Sequence, residues 1–152
     1  MSILAAAKKV SEHANSFVEE NESMGRLHDE VVKAMQQSEL PQMLKPDSNY
    51  SIREFIEVCG TLGEGCMSAG WCNFVWGMHN YLIGLYPKTV QSEVWDNTKT
   101  LISASLNPQG TCSYSSNAET ATINGHWTFN SGCDHADWLL LGCRQKQDEP
   151  VL

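Results

Sequence analysis

Residues 130–135, Asn-Ser-Gly-Cys-Asp-His, set small polar side chains and a glycine in a row. Glycine tolerates backbone angles closed to other residues, so such a turn lets backbone N–H groups come close to a planar or anionic ligand. The same composition suits an ordinary surface turn, and the residues alone leave both readings standing. His79 is the second point of chemical interest. It sits in a largely apolar run, where an imidazole must find a hydrogen-bond partner or stand as a costly buried polar group. Trp71 lies two helical turns earlier on about the same face, so the two side chains either face one cavity or are both core residues. In the run Leu101-Ile102-Ser103-Ala104-Ser105-Leu106, alternation puts Ser103 and Ser105 opposite Ala104 and lines one strand face with hydroxyls.

Cys133, His135 and Cys143 are side chains of the kinds zinc prefers. Zinc sites usually draw close ligand pairs from two places, and the second pair is missing, so no metal is expected. The six cysteines, at 59, 66, 72, 112, 133 and 143, are irregularly spaced and mostly embedded in apolar segments, as reduced core thiols are. A net charge of -8 without Lys or Arg clusters argues against nucleic acid or an anionic membrane as partner. The sequence carries no glycine-rich phosphate loop, no GxSxG elbow and no internal repeat, so phosphoryl transfer and serine hydrolysis have no support. No run approaches the roughly eighteen apolar residues of a membrane span, and residues 1–9 do not read as a secretory signal, which points to the cytoplasm.

These residues need elements to position them. The chain has 152 residues, 41% of them hydrophobic, enough for one domain or for a small domain and part of another. Its first half reads helical and its second extended, with the change between Trp95 and Leu101. Residues 2–20 have Val10, Ala14, Phe17 and Val18 at helical spacing, and residues 24–38 present Leu27, Val31, Ala34 and Met35 on one stripe before Pro41. Ser51-Ile52-Arg53-Glu54 has the form of a capping box opening a third helix, which carries Phe55, Ile56, Val58 and Leu62. Residues 68–85 set Trp71, Phe74, Val75, Met78, Leu82 and Leu85 in a wide apolar stripe. Gly70, Gly77 and Gly84 recur every seven residues in that run, either for close helix packing or for the close approach of a ligand. Residues 126–129 alternate as a half-buried strand behind the hairpin signal Asn124-Gly125. Residues 136–141 form a short apolar run expected as a strand covered on both faces.

The stretch from Gly125 to Gly142, GHWTFNSGCDHADWLLLG, resembles the flavin-contacting segment of the acyl-CoA dehydrogenase superfamily. The likeness is to its flavin-dependent monooxygenase branch, which includes the oxygenase components of two-component aromatic hydroxylases. Arg53-Glu54-Phe55, Ser68-Ala69-Gly70-Trp71, Gly77-Met78-His79-Asn80 and Ser103-Ala104-Ser105-Leu106-Asn107-Pro108 follow in that branch's order and approximate spacing. The resemblance covers residues 27–142 and implies an α+β fold. An N-terminal all-helical domain, residues 1–98, is followed by an incomplete antiparallel β-domain, residues 99–152, with the family's C-terminal helical bundle missing.

It also implies a function, the N-terminal portion of an enzyme that uses reduced flavin (FMN or FAD) and O2 to hydroxylate an aromatic, phenolic substrate. His79 would orient or deprotonate the phenol. Trp71, Ser105, Thr128, Asn130 and Ser131 would contact the flavin, with Ser105 also serving catalysis. The partners so implied are a flavin reductase, a small aromatic substrate and further copies of the chain, as a tetramer. Two positions depart from the branch: Asn130 stands where many members carry serine, and Ser48-Asn49 replaces a glycine pair. An acyl-CoA dehydrogenase-type oxidoreductase and a non-catalytic flavin-binding or interaction fragment are the alternatives.

Overall fold

A computed structural model describes residues 2–117 and 119–145, so the end of the expected β-domain, 146–152, lies outside the described residues. Helix α1 (Ile3–Asn15) begins where the Ser2 side chain accepts from the Ala5 N–H at 3.3 Å. The expected helix over 2–20 is broken at residues 16–17. There the Ser16 hydroxyl donates to the His13 carbonyl, and the Phe17 ring leaves the helix path to stack on His28, ring centroids 4.4 Å apart. Helix α2 (Val18–Met24) follows and ends at Gly25, whose φ of 67° is the left-handed conformation of a helix cap.

Helix α3 (Asp29–Gln37) starts later than expected because His28 is held extended as its cap. The His28 N–H donates to Asn21 Oδ1 and its Nδ1 accepts from the Glu30 N–H. The helix stops before Pro41, at a turn where Glu39 has φ 56°, and Pro41 lies inside the 3-10 turn Leu40–Gln42. The Ser51 capping box forms as read, opening α4 (Ile52–Gly65), although Ile56 faces solvent while Phe55, Val58 and Leu62 are buried.

Helix α5 (Met67–Ile83) departs most from its hydropathy pattern. Its inner face carries Ala69, Asn73, Val75, Trp76, Asn80 and Ile83, whereas Trp71 and Leu85 are mostly exposed. The reason is polar: Asn80 is buried because its carboxamide donates to the Pro41 carbonyl at 3.0 Å and accepts from Trp95 Nε1 at 2.9 Å. The recurrent glycines serve packing. A Cβ on Gly70 would strike the α4 backbone at Cys59 and Gly63, one on Gly77 the Phe55 ring, and one on Gly84 the Pro46 ring. Helix α6 (Lys88–Val94) closes the helical part.

Three strands follow in the order β2-β1-β3. Strand β1 (Ile102–Tyr114) pairs antiparallel with β2 (Ala121–Asn124) and parallel with β3 (Trp138–Gln145), so the sheet is mixed rather than purely antiparallel. The parallel pair arises because the chain after β2 crosses back to the start of β1 before β3 begins, aligning Ile102 with Trp138. The hairpin lies between β1 and β2, and Asn124-Gly125 ends β2 instead of turning it.

Residues 126–129 are not a strand. The Trp127 indole fills the space over Gly110 and Gly125 and donates to the Gly142 carbonyl at 2.7 Å, which pulls this segment off the ladder. Strand β3 is covered only in part and not on both faces throughout: Leu140 packs with Ile83, Val94 and Ile102, while Trp138 and Leu139 at its start are exposed. The main core joins α1, α3, α4 and α5 around Val10, Met35, Phe55, Leu62 and Trp76. The first half of β1 is buried against this helical layer and the second half extends from it. No helix among the described residues is long and apolar enough to cross a membrane.

Candidate functional site

Strand β1 fixes the site from below. Its residues Ser103 and Ser105 are both buried, and their hydroxyls cross-link the strand to the segment that returns over it. Ser105 Oγ donates to the Thr128 carbonyl at 3.0 Å, and Ser103 Oγ donates to the Ser131 carbonyl at 2.6 Å. The Asn130 carboxamide lies 2.5 Å from the same Ser103 oxygen. The atom facing it is Asn130 Oδ1, an acceptor, so the single hydroxyl proton of Ser103 lies between the Asn130 oxygen and the Ser131 carbonyl. Gln109 grips Thr128 twice, accepting from its N–H at 2.7 Å and donating to its hydroxyl at 3.0 Å.

The turn 130–135 is seated from two further directions. Trp76 Nε1 donates to the Gly132 carbonyl at 3.2 Å, and Gly132 holds φ 74°. His135 closes the 3-10 turn Cys133–His135, and its Nε2 donates to the Leu27 carbonyl at 2.9 Å, tying the turn to the α2–α3 connection. Arg26 lies beside it and donates to Asp29 Oδ1 at 2.7 Å. That bond is the main reason the Asp29 carboxyl sits below the usual carboxylate range.

Above the turn opens a cavity of about 610 Å³, lined by Trp71, Phe129, Asn130, Ser131, Arg26 and His135 among others. Its size is that of a small-molecule site. Trp71 is 54% exposed and Phe129 95% exposed, the latter with φ 58°, so two aromatic faces stand at the cavity without being consumed by the core. The backbone N–H groups of Asn130, Ser131 and Gly132 donate to no group among the described residues. Unengaged donors on a turn beside aromatic rings suit a planar heteroaromatic ligand with carbonyl edges.

Of the sequence-derived site residues, Trp71, Asn130 and Ser131 share this cavity, and Ser105 and Thr128 brace its floor. His79 lies outside its wall. The expectation that Trp71 and His79 share a face fails because eight residues along an α-helix leave a rotation of about 80°. Half-buried His79 instead meets β1, with Nδ1 2.9 Å from the Ile102 carbonyl. A carbonyl only accepts, so Nδ1 carries the proton and Nε2 keeps its lone pair. Burial pulls the imidazole below its ordinary range, and the hydrogen bond to Ile102 opposes that only in part.

Among the described residues no group of three His, Cys, Asp or Glu side chains could hold a metal. All six cysteines are free thiols; Cys133 is exposed rather than a buried small hydrophobe, and burial pushes Cys72 up to about 12. Trp76, Arg26 and the anchoring role of His135 escaped the sequence reading. Trp76 lies between Asn73 and Asn80 on a face whose asparagines hide its burial.

A helical layer passing one long strand into a small mixed sheet, with the second crossing turn folded back on the helices, defines an acyl-CoA dehydrogenase-like architecture. No family model matches the chain. The HsaA oxygenase subunit of a flavin-dependent monooxygenase from Rhodococcus jostii is 33% identical over 129 residues, 82% of this chain and 33% of that protein. The oxygenase component of an FADH2-dependent resorcinol hydroxylase from Rhizobium is 33% identical over 92 residues, 57% of this chain and 21% of that protein. The crystal structure of the HsaA monooxygenase from M. tuberculosis superposes with a TM-score of 0.88 at 31% identity, covering 97% of this chain and 41% of that one. The chain belongs to the flavin-dependent monooxygenase branch of the acyl-CoA dehydrogenase superfamily. It spans about a third of the length of the HsaA subunit from R. jostii.

Proposed function

We propose that this chain carries the flavin-facing part of an oxygenase component that hydroxylates a phenolic substrate. The observation that carries this reading is the cavity lined by Trp71, Phe129 and residues 130–132, whose N–H groups donate to no group among the described residues. That donor set fits an isoalloxazine ring: aromatic faces for its plane, and backbone donors for its carbonyl and ring-nitrogen edge. Reduced flavin, when bound, activates O2 and supplies an electrophilic oxygen to an electron-rich ring.

The chain's own residues do the rest. Trp71 and Phe129 cover the ring and displace water, which strengthens every polar contact beneath them. Asn130 and Ser131 hold its polar edge. Ser105 and Thr128 act as positioning residues, since the Ser105 hydroxyl is spent on the Thr128 carbonyl. His79 is the base of this proposal. Its proton is fixed on Nδ1, and the free Nε2 is available to take a phenolic proton and raise the ring's nucleophilicity.

The relatives are named as oxygenase subunits and components, which supports a separate flavin reductase as partner. The same reading makes reduced FAD or FMN the cofactor, puts the protein in the cytoplasm beside that reductase, and assembles copies of it as a tetramer. It divides the chain into a helical domain, residues 1–98, and a β-domain, residues 99–152, the change of structure falling between Val94 and Ile102.

Anaerobic titration of the 152-residue chain with reduced FAD and reduced FMN, followed by tryptophan fluorescence, tests the site. We expect saturable quenching by at least one flavin. In Trp71→Ala the affinity should fall by about three- to tenfold, from the loss of one aromatic contact of order 1 kcal/mol, with an unchanged melting temperature because the ring is already half exposed. Failure of both flavins to bind overturns the proposal and leaves the chain as a non-catalytic interaction fragment.

A further inference from the structure

We propose that Trp76 is the positioning residue of the cavity, holding the turn 130–132 in the shape that leaves its N–H groups available. The claim that a flavin uses those groups rests on the function proposed above; the claim about the turn does not.

Trp76 is fully buried in the middle of α5, yet its one polar atom is aimed out of the helical layer at the Gly132 carbonyl, 3.2 Å away. The match is steric as well as polar. A Cβ on Gly132 would run into Trp76 Nε1 and the adjoining ring carbons, so the glycine is needed both for its left-handed φ of 74° and for the indole beneath it. His135 meets the same indole edge-on, with centroids 6.4 Å apart and the rings 88° to one another, while its Nε2 holds the Leu27 carbonyl.

The indole therefore occupies the underside of the turn and engages the Gly132 carbonyl. The Gly132 carbonyl shares its peptide plane with the Cys133 N–H, which donates to the Asn130 carbonyl at 3.2 Å, so Trp76 fixes the bond that closes the turn, while Ser103 fixes the plane of the Ser131 carbonyl and the Gly132 N–H. Two carbonyls are thus drawn inward by buried donors, one from α5 and one from β1. The N–H groups of residues 130–132 are left outside these pairings.

The test separates this claim from the function. Hydrogen exchange of the amides of Cys133, His135 and Ala136, which donate to carbonyls within the turn, is measured in the wild-type chain, Trp76→Phe and Gly132→Ala, with the affinity for reduced FAD and FMN measured alongside. Trp76→Phe keeps an aromatic ring and removes the donor. We expect exchange in the turn to quicken by about tenfold while the helices of the core keep their protection, and flavin affinity to fall by about five- to tenfold, as for loss of one buried hydrogen bond.

The double variant supplies a signature that general destabilisation does not give. A smaller ring at position 76 leaves room for the methyl that Gly132→Ala adds, so that substitution should cost less in the Trp76→Phe background than in the wild type. If Trp76→Phe does not fold, Gly132→Ala alone must quicken exchange in the turn. Unchanged exchange at Cys133, His135 and Ala136, or additive effects of the two substitutions, overturns the proposal. Faster exchange in a chain that binds neither flavin supports the positioning role and overturns the function instead.

Discussion

His79 illustrates how one hydrogen bond decides the chemistry of a side chain. With Nδ1 donating to the Ile102 carbonyl, the ring is locked in one tautomer, and burial keeps it neutral below its ordinary range. Above pH 6.5, the ordinary value, the imidazole is neutral in both folded and unfolded chains; as pH falls below it, the unfolded chain takes up a proton that the folded chain resists. The stability His79 contributes is therefore complete above pH 6.5 and declines toward the lowered folded value. Thermal melts from about pH 7.5 to 5 should show this decline, and His79→Gln should flatten it; an identical slope in the variant would remove His79 as its source. The turn at 130–135 was legible in the sequence because small polar residues around a glycine announce one, whereas Trp71, Asn130 and Ser131 were singled out as site residues by resemblance to the family. Trp76 and His135 were not. Their roles rest on backbone carbonyls of Gly132 and Leu27, and a carbonyl leaves no mark on residue type.

Helix α5 shows the same limit for an element. Its seven-residue glycine spacing was legible, and the structure assigns the glycines to packing. Gly77→Ala should test that assignment because two effects oppose. Alanine in a helix interior gains about 1 kcal/mol over glycine, but here the new methyl enters the space of the Phe55 ring, itself fully buried. Overpacking a tight core costs about 1–3 kcal/mol, so the variant should melt lower than wild type. A higher melting temperature would mean that Phe55 has room to move. The stripe predicted for this helix was turned because hydropathy cannot see that Asn80 is satisfied inside, between Pro41 and Trp95. The Ser51 capping box, by contrast, was readable from four residues, since every bond it makes is local.

At the scale of the molecule, the helical layer holds the main core and the sheet ends in an edge strand. Among the described strands β3 lies at the sheet edge, and it leaves Leu139 48% exposed, an apolar side chain on an edge of the kind that invites pairing between chains. Sedimentation over a range of concentrations should show self-association of the chain that Leu139→Lys reduces without lowering the melting temperature; equal association in both would place the contact elsewhere. The order of helices then strands was plain from the sequence, but the parallel partnership of β1 and β3 was not, because register between segments so far apart is written in no local pattern. That partnership also bears on how the molecule is made. Ile102 finds Trp138 only after the intervening chain has closed a long loop, an entropic cost that α1 also meets in reaching α4, where Ser11 donates to the Leu62 carbonyl. The cavity turn lies inside that loop, so the binding surface exists only while β3 is docked along β1 and is lost whenever that strand pair parts.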